Sequence, residues 1–259
     1  MPKVSVIMAE YNTPRNHFNL AVESILNQTF SDFEFIIVDD SKDQHLEEYM
    51  NNYPDVRVKL VKNGGNFGLV YSLNNAISVA QSDYLVRMDT DDISLPDRIK
   101  VLYEEITNNP EFSVIGTSFI EFDDKGKYSE FIYDREYTFK IIMNRQVPIH
   151  PTTILKKQDI ISVGNYKEFN RAEDFVLWCE LLLKGYRIKT IPKVLYKYRV
   201  SESDLDKRKL KYRKDEIRAR IKYYRLMGAN PLQMLSISKS IIAGIVPNKI
   251  MYLYHNLRK

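Results

Sequence analysis

The chain has 259 residues, of which 44% are hydrophobic and 28% charged, a balance that excludes an intrinsically disordered protein. Its length suits one large α/β domain, or a domain of around 200 residues with an appendage. No run approaches the roughly 18 to 20 continuous apolar residues of a membrane-spanning helix, and the run at 4–9 is too short for a signal-peptide core. Cys179 is the only cysteine, which excludes an intramolecular disulfide and suits a reducing compartment. The net charge is a mild +4. We expect a cytoplasmic protein that does not bind nucleic acid.

The first part of the chain alternates apolar runs of strand length with amphipathic helical patterns. Strands are predicted at 4–9, 33–38, 56–61 and 84–88, with helices at about 18–29, 44–52 and 69–80. This alternation predicts a mostly parallel sheet wound by right-handed crossovers.

Each of these four strands is followed by a polar cluster. The clusters are Glu10–Asn12, Asp39–Asp40, Gly64–Gly68 and Asp89–Asp92. Ligands of such sheets bind beyond the carboxyl ends of the strands, where all four clusters would meet. We therefore interpret residues 1–110 as a nucleotide-binding half-sheet.

The segment Asp89–Asp92 holds three carboxylates in four residues directly after a buried strand. Like charges that are partly desolvated are unfavourable unless a cation lies among them. One or two carboxylates together with phosphate oxygens is the usual way of holding Mg²⁺, so we expect Mg²⁺ or Mn²⁺ and a phosphorylated substrate. The alternative is an acidic turn before a helix whose first turn, Leu95–Asp97, favours Pro and an acid for capping alone.

The pattern changes after Pro110. Short strands are predicted at 113–116, 119–122 and 128–133, with a hairpin turn at 123–126, a helix at 139–143 and a last strand at 187–191. An apolar helix is predicted to begin at Arg171–Asp174 and to end at Gly185. Residues 111–206 thus predict a mixed half that completes one domain.

An ordered set of motifs resembles the family 2 glycosyltransferases with a GT-A fold. The matching segments are 4–12, 24–30, 37–40, 66–68, 87–92 and 173–178. The resemblance covers about residues 3 to 200 and is nearest to bacterial enzymes that build capsule, O-antigen or exopolysaccharide. It implies a Rossmann-like nucleotide-binding half, a mixed acceptor-side half, and inverting transfer of a sugar from a nucleotide-sugar donor to an acceptor hydroxyl.

The same resemblance implies roles for residues that would bind the nucleoside. Ala9 and Tyr11 would form the floor under the base and ribose, with Tyr11 stacking on the base. Asp40 would accept the N3 proton of uracil, which favours a UDP-sugar, and Asn66 and Gly68 would close the base pocket.

Further roles concern the diphosphate and the chemistry. Asp89, Asp91 and Asp92 match the D-x-D region, where Asp89 would bind the donor and Asp91, or secondly Asp92, the Mn²⁺ or Mg²⁺. Asp174 takes the place of the catalytic base, and Arg199 would neutralise phosphate charge. Many relatives have a histidine shortly after that arginine, where this chain has residues 201–203, Ser-Glu-Ser.

Three assignments keep an alternative. Asp174 could simply cap its helix, since acids are common in a first turn. His150 could contact the acceptor or metal, or form a structural hydrogen bond. Trp178 could stack on an acceptor sugar, although a Trp on an apolar helical stripe more often lies in a core.

Residues 207–259 are interpreted as a basic amphipathic helical tail. From Lys207 onward the only acids are Asp215 and Glu216, while residues 210–227 interleave Lys and Arg with apolar side chains. Residues 240–246 and 250–257 are apolar and aromatic. Such a pattern is typical of membrane-surface helices, so one hypothesis docks the tail on the inner face of the cytoplasmic membrane, near a lipid-linked saccharide acceptor. The other is a helix packed on the catalytic domain with a solvated basic face.

Two other functions remain open at this point. Asp89 and Asp91 after an apolar strand also suit an aspartate-nucleophile phosphatase, in which Asp89 attacks phosphorus. A non-catalytic nucleotide-sugar-binding subunit is the second alternative, but a pure binder has no need of a base such as Asp174.

Overall fold

A computed structural model describes residues 1–42, 45–126, 128–201 and 209–245. The strands are β1 (Val4–Glu10), β2 (Phe33–Asp39), β3 (Val58–Lys62), β4 (Tyr84–Met88), β5 (Ile93–Ser94), β6 (Phe112–Phe122), β7 (Tyr128–Phe131), β8 (Arg135–Glu136), β9 (Ile154–Lys156) and β10 (Arg187–Arg199). The helices are α1 (Arg15–Leu26), α2 (His45–Met50), α3 (Leu69–Val79), α4 (Arg98–Asn108), α5 (Phe139–Met143), α6 (Lys157–Ser162), α7 (Glu173–Leu183), α8 (Lys214–Leu226), α9 (Pro231–Leu235) and α10 (Ser238–Ile245). Short 3-10 turns lie at His150–Thr152 and Leu210–Tyr212.

One sheet organises the described part of the chain, in the order β3-β2-β1-β4-β9-β6-β10-β5, with β7 beside β6 and β8 beside β10. Strands β1 to β4 pair in parallel, whereas β9 is antiparallel to both β4 and β6. The predicted parallel first half and mixed second half are therefore confirmed.

Side chains of the central strands alternate between two cores. In β2, Phe35 and Ile37 face a core with α1 and α4, while Ile36 and Val38 face a core that includes residues of α3 and α7. All seven residues of β2 are buried, as expected for a strand covered on both faces.

Two strands differ most from their predicted lengths. One strand, β6, replaces the pair predicted at 113–116 and 119–122, because the hydroxyl of Ser118 finds partners inside the sheet and does not break the strand. β10 continues past the predicted end at 191 through a register shift around Pro192, which has no N–H to donate. That continuation brings Arg199 to the acidic loop after β4.

Helix α8 packs into the protein and is not a detached tail. Ala219, Tyr223 and Tyr224 are fully buried, and the Tyr223 hydroxyl donates to Glu180 on α7 (2.5 Å). For α8 the structure thus agrees with the packed alternative. The proposed boundary at 206–207 and the apolar segment 250–257 lie outside the described residues. Among the helices that are described, none is long and apolar enough to cross a membrane.

Candidate active site

The carboxyl end of β4 places a buried cation under the acidic loop. Arg87 is fully buried, donates to an Asp89 carboxylate oxygen and to the Met88 carbonyl, and keeps its Nε without a partner. The backbone N–H of Asp89 donates to the hydroxyl of Tyr196 on β10 (3.3 Å). The Asp89 carboxylate is thus held in place while remaining partly exposed.

The two acids predicted as metal ligands have different surroundings. Asp91 is exposed, whereas Asp92 is buried and its Oδ1 accepts the backbone N–H of Arg199 (2.6 Å). Burial, then the charges of Asp89 and Asp91, raise the pKa of Asp92 well above its usual range. Asp92 therefore joins the acidic loop to β10, and Asp91 is the acid that reaches the surface.

A second buried arginine supports this loop from below. Arg98 of α4 donates to the carbonyls of Arg87 (2.6 Å) and Pro151 (2.5 Å), and its guanidinium lies over the ring of Tyr196. Burial lowers the pKa of Arg98 to about 10, while the nearby charge of Asp92 opposes that decrease. Arg98 is therefore a structural cation.

Arg199 lies beside the acidic loop, as predicted, but its guanidinium already has protein partners. Its Nε donates to the Asp91 carbonyl (2.7 Å), its Nη1 forms an ion pair with Asp124, and its plane stacks on Phe122. Contact with a diphosphate would require Arg199 to exchange some of these partners.

A cavity of about 290 Å³ brings the two distant acidic motifs together. Asp89 from the end of β4 and Asp174 from the start of α7 both line it. The other lining residues come from several elements and are Leu69, Arg87, Phe119, Glu121, the run 147–151, Glu173 and Tyr198. The cavity thus combines carboxylates, a buried cation and an apolar wall.

Both acids at the start of α7 have raised pKa values. Burial, then the charge of Asp174, raises the pKa of Glu173 to about 7. Burial also raises the pKa of Asp174, while the Phe175 N–H, which donates to its Oδ1 (2.6 Å), and Arg220 favour the ionised form. Asp174 therefore accepts one N–H of the first turn, although the N-cap position of α7 is Ala172 and has no side-chain cap, and it also lines the cavity.

His150 forms a buried hydrogen bond at the cavity wall. Its Nε2 lies 2.6 Å from the Tyr166 hydroxyl, and its ring meets Trp178 edge-on. Burial, then the charge of Arg87, holds the pKa of His150 well below its usual value, so the ring is neutral. The contact with Tyr166 is the structural hydrogen bond that was one of the two alternatives for His150. Trp178 is fully buried in the core, as expected for a Trp on an apolar helical stripe.

The predicted nucleoside residues lie at the carboxyl edge of β1 to β3. Asp40 is buried, and its carboxylate accepts N–H groups from Phe67 (2.9 Å) and Gly68 (2.7 Å), so it fixes the loop before α3. Gly68 has a φ of +89°, a conformation that favours glycine. Tyr11 and Asn66 are exposed and Ala9 is half-buried.

Sequence reasoning gave no role to Arg87, Glu173 or Tyr166, which the structure places at this cavity or at its wall. For Arg87 a signal existed, because a charged residue inside an apolar strand needs a buried partner. Tyr166 has no such signal, since its contact with His150 depends on the tertiary fold.

The acidic loop could bind a divalent cation only if phosphate and water supplied the remaining coordinating oxygens. In the described ranges no group of three or more His, Cys, Asp or Glu converges as a metal site. Asp91 and Asp89 could supply one or two carboxylate oxygens. A cation would also reduce the repulsion from Asp89 and Asp91 that, after burial, raises the pKa of Asp92. Phosphate and water would complete the coordination, as is usual for Mg²⁺.

Comparisons with known proteins identify the family of this chain. A family model described as Glycosyl transferase family 2 matches residues 5–162. The putative glycosyltransferase EpsE of Bacillus subtilis is 30% identical over 264 residues, covering 99% of this chain and 94% of its own. A UDP-Gal:alpha-D-GlcNAc-diphosphoundecaprenol beta-1,3-galactosyltransferase of Escherichia coli is 30% identical over 235 residues, covering 86% and 84%.

Among solved structures, Staphylococcus aureus TarS in complex with UDP-GlcNAc superposes with a TM-score of 0.68, covering 94% of this chain and 71% of that one. At 19% identity this likeness concerns the fold alone, and it confirms the expected GT-A architecture. The sequence resemblance, the family match and the shared fold lead to one conclusion: the chain belongs to glycosyl transferase family 2.

Proposed function

We propose that this protein moves a sugar from a UDP-sugar to an acceptor hydroxyl, with inversion, in the synthesis of a bacterial surface polysaccharide. The observation that carries the proposal is the shared cavity of Asp89 and Asp174. In this proposal Asp89 acts on the donor side and Asp174 on the acceptor side of the same cavity, whose volume of about 290 Å³ would admit a reacting sugar.

In this proposal Asp174 is the general base. The acceptor oxygen attacks the anomeric carbon, its proton passes to the Asp174 carboxylate, and the bond from the anomeric carbon to the diphosphate oxygen breaks with its electron pair on the diphosphate. Burial raises the pKa of Asp174, which makes it a stronger base, while the Phe175 N–H and Arg220 favour its ionised form. One carboxylate on the acceptor side suffices for a single displacement.

Asp91 is the proposed ligand of Mn²⁺ or Mg²⁺, with Asp89 directed at the donor and Asp92 holding the loop from beneath. A bound cation would stabilise the negative charge that develops on the leaving diphosphate. Arg87 fixes the Asp89 carboxylate, and the apolar wall at 147–149 limits the access of water that would hydrolyse the donor.

The choice of UDP and of the acceptor rests on relatives and on Asp40. The Escherichia coli relative is named for a UDP-Gal donor and a lipid-diphosphate acceptor, and TarS has been solved with UDP and UDP-GlcNAc. We extend to this chain a UDP-sugar donor and a saccharide or lipid-linked saccharide acceptor, at the inner face of the cytoplasmic membrane.

The contacts of Asp89 give less support to the alternative function, an aspartate-nucleophile phosphatase. It needs Asp89 as a free nucleophile, whereas Arg87 binds that carboxylate, and it leaves Asp174 without a role. It would also require a phospho-enzyme, which mass spectrometry would detect after incubation with phosphorylated substrates.

The first experiment measures thermal unfolding with UDP, GDP, TDP or CDP, each with Mn²⁺, Mg²⁺ or excess chelator. A ligand at about 100 times its dissociation constant adds roughly 2.7 kcal/mol, which raises the midpoint of a domain this size by about 5 to 10 °C. We expect that increase for UDP with metal, and a smaller one for Asp91→Asn. Equal effects of all four nucleotides would refute the assignment of the base.

The second experiment measures turnover with a panel of saccharide acceptors. Asp174→Asn should lower kcat by about 10²- to 10⁴-fold while the UDP-dependent thermal shift persists, because a general base contributes to the reaction and little to donor binding. Asp83→Asn is the matched control, since Asp83 is exposed at the amino end of β4. Full activity of the Asp174 variant would refute its role, and absence of turnover in the wild type with every acceptor would favour a binding subunit.

A further inference from the structure

The last two described helices present apolar side chains to solvent. Leu232 and Leu235 on α9 are 78% and 65% exposed, and α9 contains no buried residue. Leu226, Ile241 and Ile242 are exposed as well. We call Leu232, Leu235, Ile241 and Ile242 the α9–α10 face, and Leu226 is the last residue of the preceding helix α8. Leu232 and Leu235 stand three positions apart, so they project from the same side of α9.

The α9–α10 face is held in place by contacts on its inner side. Ile237 is buried against the core that contains α7 and α8, and Ser240 is fully buried. The Ser240 hydroxyl accepts from Arg145 (2.6 Å) and donates to Glu216 (3.0 Å). These inner contacts hold the two helices against the domain, so the leucines point to solvent in the folded chain.

The sequence after Glu216 carries charges of one sign. After Glu216 the sequence contains no Asp or Glu, while Lys and Arg occur at 218, 220, 222, 225, 239, 249, 258 and 259. Arg225, next to Leu226, and Lys239, just before the two isoleucines, are both exposed. Exposed leucines flanked by cations complement a surface that is apolar inside and anionic outside.

This charge pattern separates the candidate partners. In a two-fold dimer through the face, its flanking cations would meet their own copies and repel. Residues 246–259 of the same chain contain only basic charges and therefore offer no electrostatic complement. An anionic bilayer offers both requirements, since its headgroups attract nearby Lys and Arg and its boundary region accepts apolar side chains.

We propose that the α9–α10 face docks on an anionic lipid bilayer. The proposal narrows the docking hypothesis for the tail at 207–259 to α9 and α10, because Ala219, Tyr223 and Tyr224 of α8 are buried against the catalytic domain. The docking itself does not depend on the proposed function, but its purpose rests on that function: docking would bring the cavity to a lipid-linked acceptor.

The test is co-sedimentation of the full chain with vesicles of phosphatidylcholine and phosphatidylglycerol at 3:1, compared with phosphatidylcholine alone. Leu232→Glu with Leu235→Glu should weaken binding to the anionic vesicles at least tenfold. The matched control adds the same two charges elsewhere, as Leu20→Glu with Val56→Glu, because both residues are exposed and lie outside α8 to α10. The control should bind within twofold of the wild type.

Four results would overturn the proposal: no vesicle binding by the wild type, equal binding to both kinds of vesicle, equal weakening by both double variants, or wild-type binding retained by Leu232→Glu with Leu235→Glu. A concentration-dependent dimer that this double variant abolishes would instead identify a second copy as the partner.

The UDP-dependent thermal shift, measured on the same samples, reports folding and donor binding. A variant that loses vesicle binding but keeps the UDP shift is folded and defines the face. A wild type that binds vesicles without any nucleotide shift supports docking and contradicts the proposed function.

Discussion

The raised pKa of Glu173 predicts a specific dependence of stability on pH. Between the ordinary pKa of 4.5 and the folded-state value of about 7, the folded protein keeps a proton that the unfolded chain has lost. The free energy of unfolding therefore falls as pH rises through this interval, by about 1.4 kcal/mol per pH unit for one full proton. The upper limit is about 3 kcal/mol, and partial exposure with shared titration of Asp174 reduces it to about 1 to 2 kcal/mol.

Glu173→Gln removes this titration, since Gln carries no ionisable proton. We expect the free energy of unfolding of the variant, relative to the wild type, to increase by about 1 to 2 kcal/mol between pH 5 and pH 8. Urea unfolding at both pH values measures it. Any hydrogen bond altered by the amide adds an offset that is the same at the two pH values and leaves the difference intact.

Glu168→Gln is the matched control, because Glu168 is exposed on the loop before α7. Its difference from the wild type should stay constant between the two pH values. A constant difference for Glu173→Gln as well would mean that the Glu173 carboxylate is solvated, and the reasoning about burial at the start of α7 would be refuted.

Three further changes test contacts of the site and the fold. Arg87→Leu should lower the free energy of unfolding by about 2 to 4 kcal/mol in urea, because it removes a buried cation and strips Asp89 of its partner. Asp40→Asn should cost about 1 to 3 kcal/mol and weaken the UDP-dependent thermal shift, since an amide NH₂ would replace an oxygen that accepts a loop N–H. Tyr224→Ala should cost about 3 to 5 kcal/mol by urea unfolding, because it opens a cavity between α8 and the core.

Each of these changes has an informative opposite outcome. A neutral Arg87→Leu would mean that Asp89 is stabilised by solvent, and a neutral Asp40→Asn would mean that the loop before α3 is held by other contacts. For Tyr224→Ala the control is Tyr128→Ala, because Tyr128 is 61% exposed and losing its contact with Lys197 should cost no more than about 1 kcal/mol. Equal effects at the two tyrosines would contradict the packing of α8.

Local patterns in the sequence were sufficient for the first half of the sheet. The strands that end at Glu10 and Asp39, and the strand before Asp89, were recognisable because a buried parallel strand is a continuous apolar run and a polar residue marks its end. The acids at 89–92 and 173–174 were recognisable for a related reason, since charges that interrupt apolar segments stand out against them.

The sequence could not show which of these charges would be buried or what would pair with them. Asp91 and Asp92 are adjacent acids, yet one is exposed and the other accepts the N–H of Arg199. That contact exists only because β10 continues through a bulge at Pro192 and because β9 lies between β4 and β6. Both features arise from pairing between segments far apart in the chain, which no local pattern encodes.

The C-terminal helices illustrate the same division. Composition determined that residues 210–227 form a basic amphipathic helix, and α8 is that helix. Which apolar side chains would be covered depended on the surface that α7 presents, because burial is decided by the partner and not by the helix itself. The tertiary structure therefore placed Tyr223 and Tyr224 in the core and left Leu232 and Leu235 facing solvent.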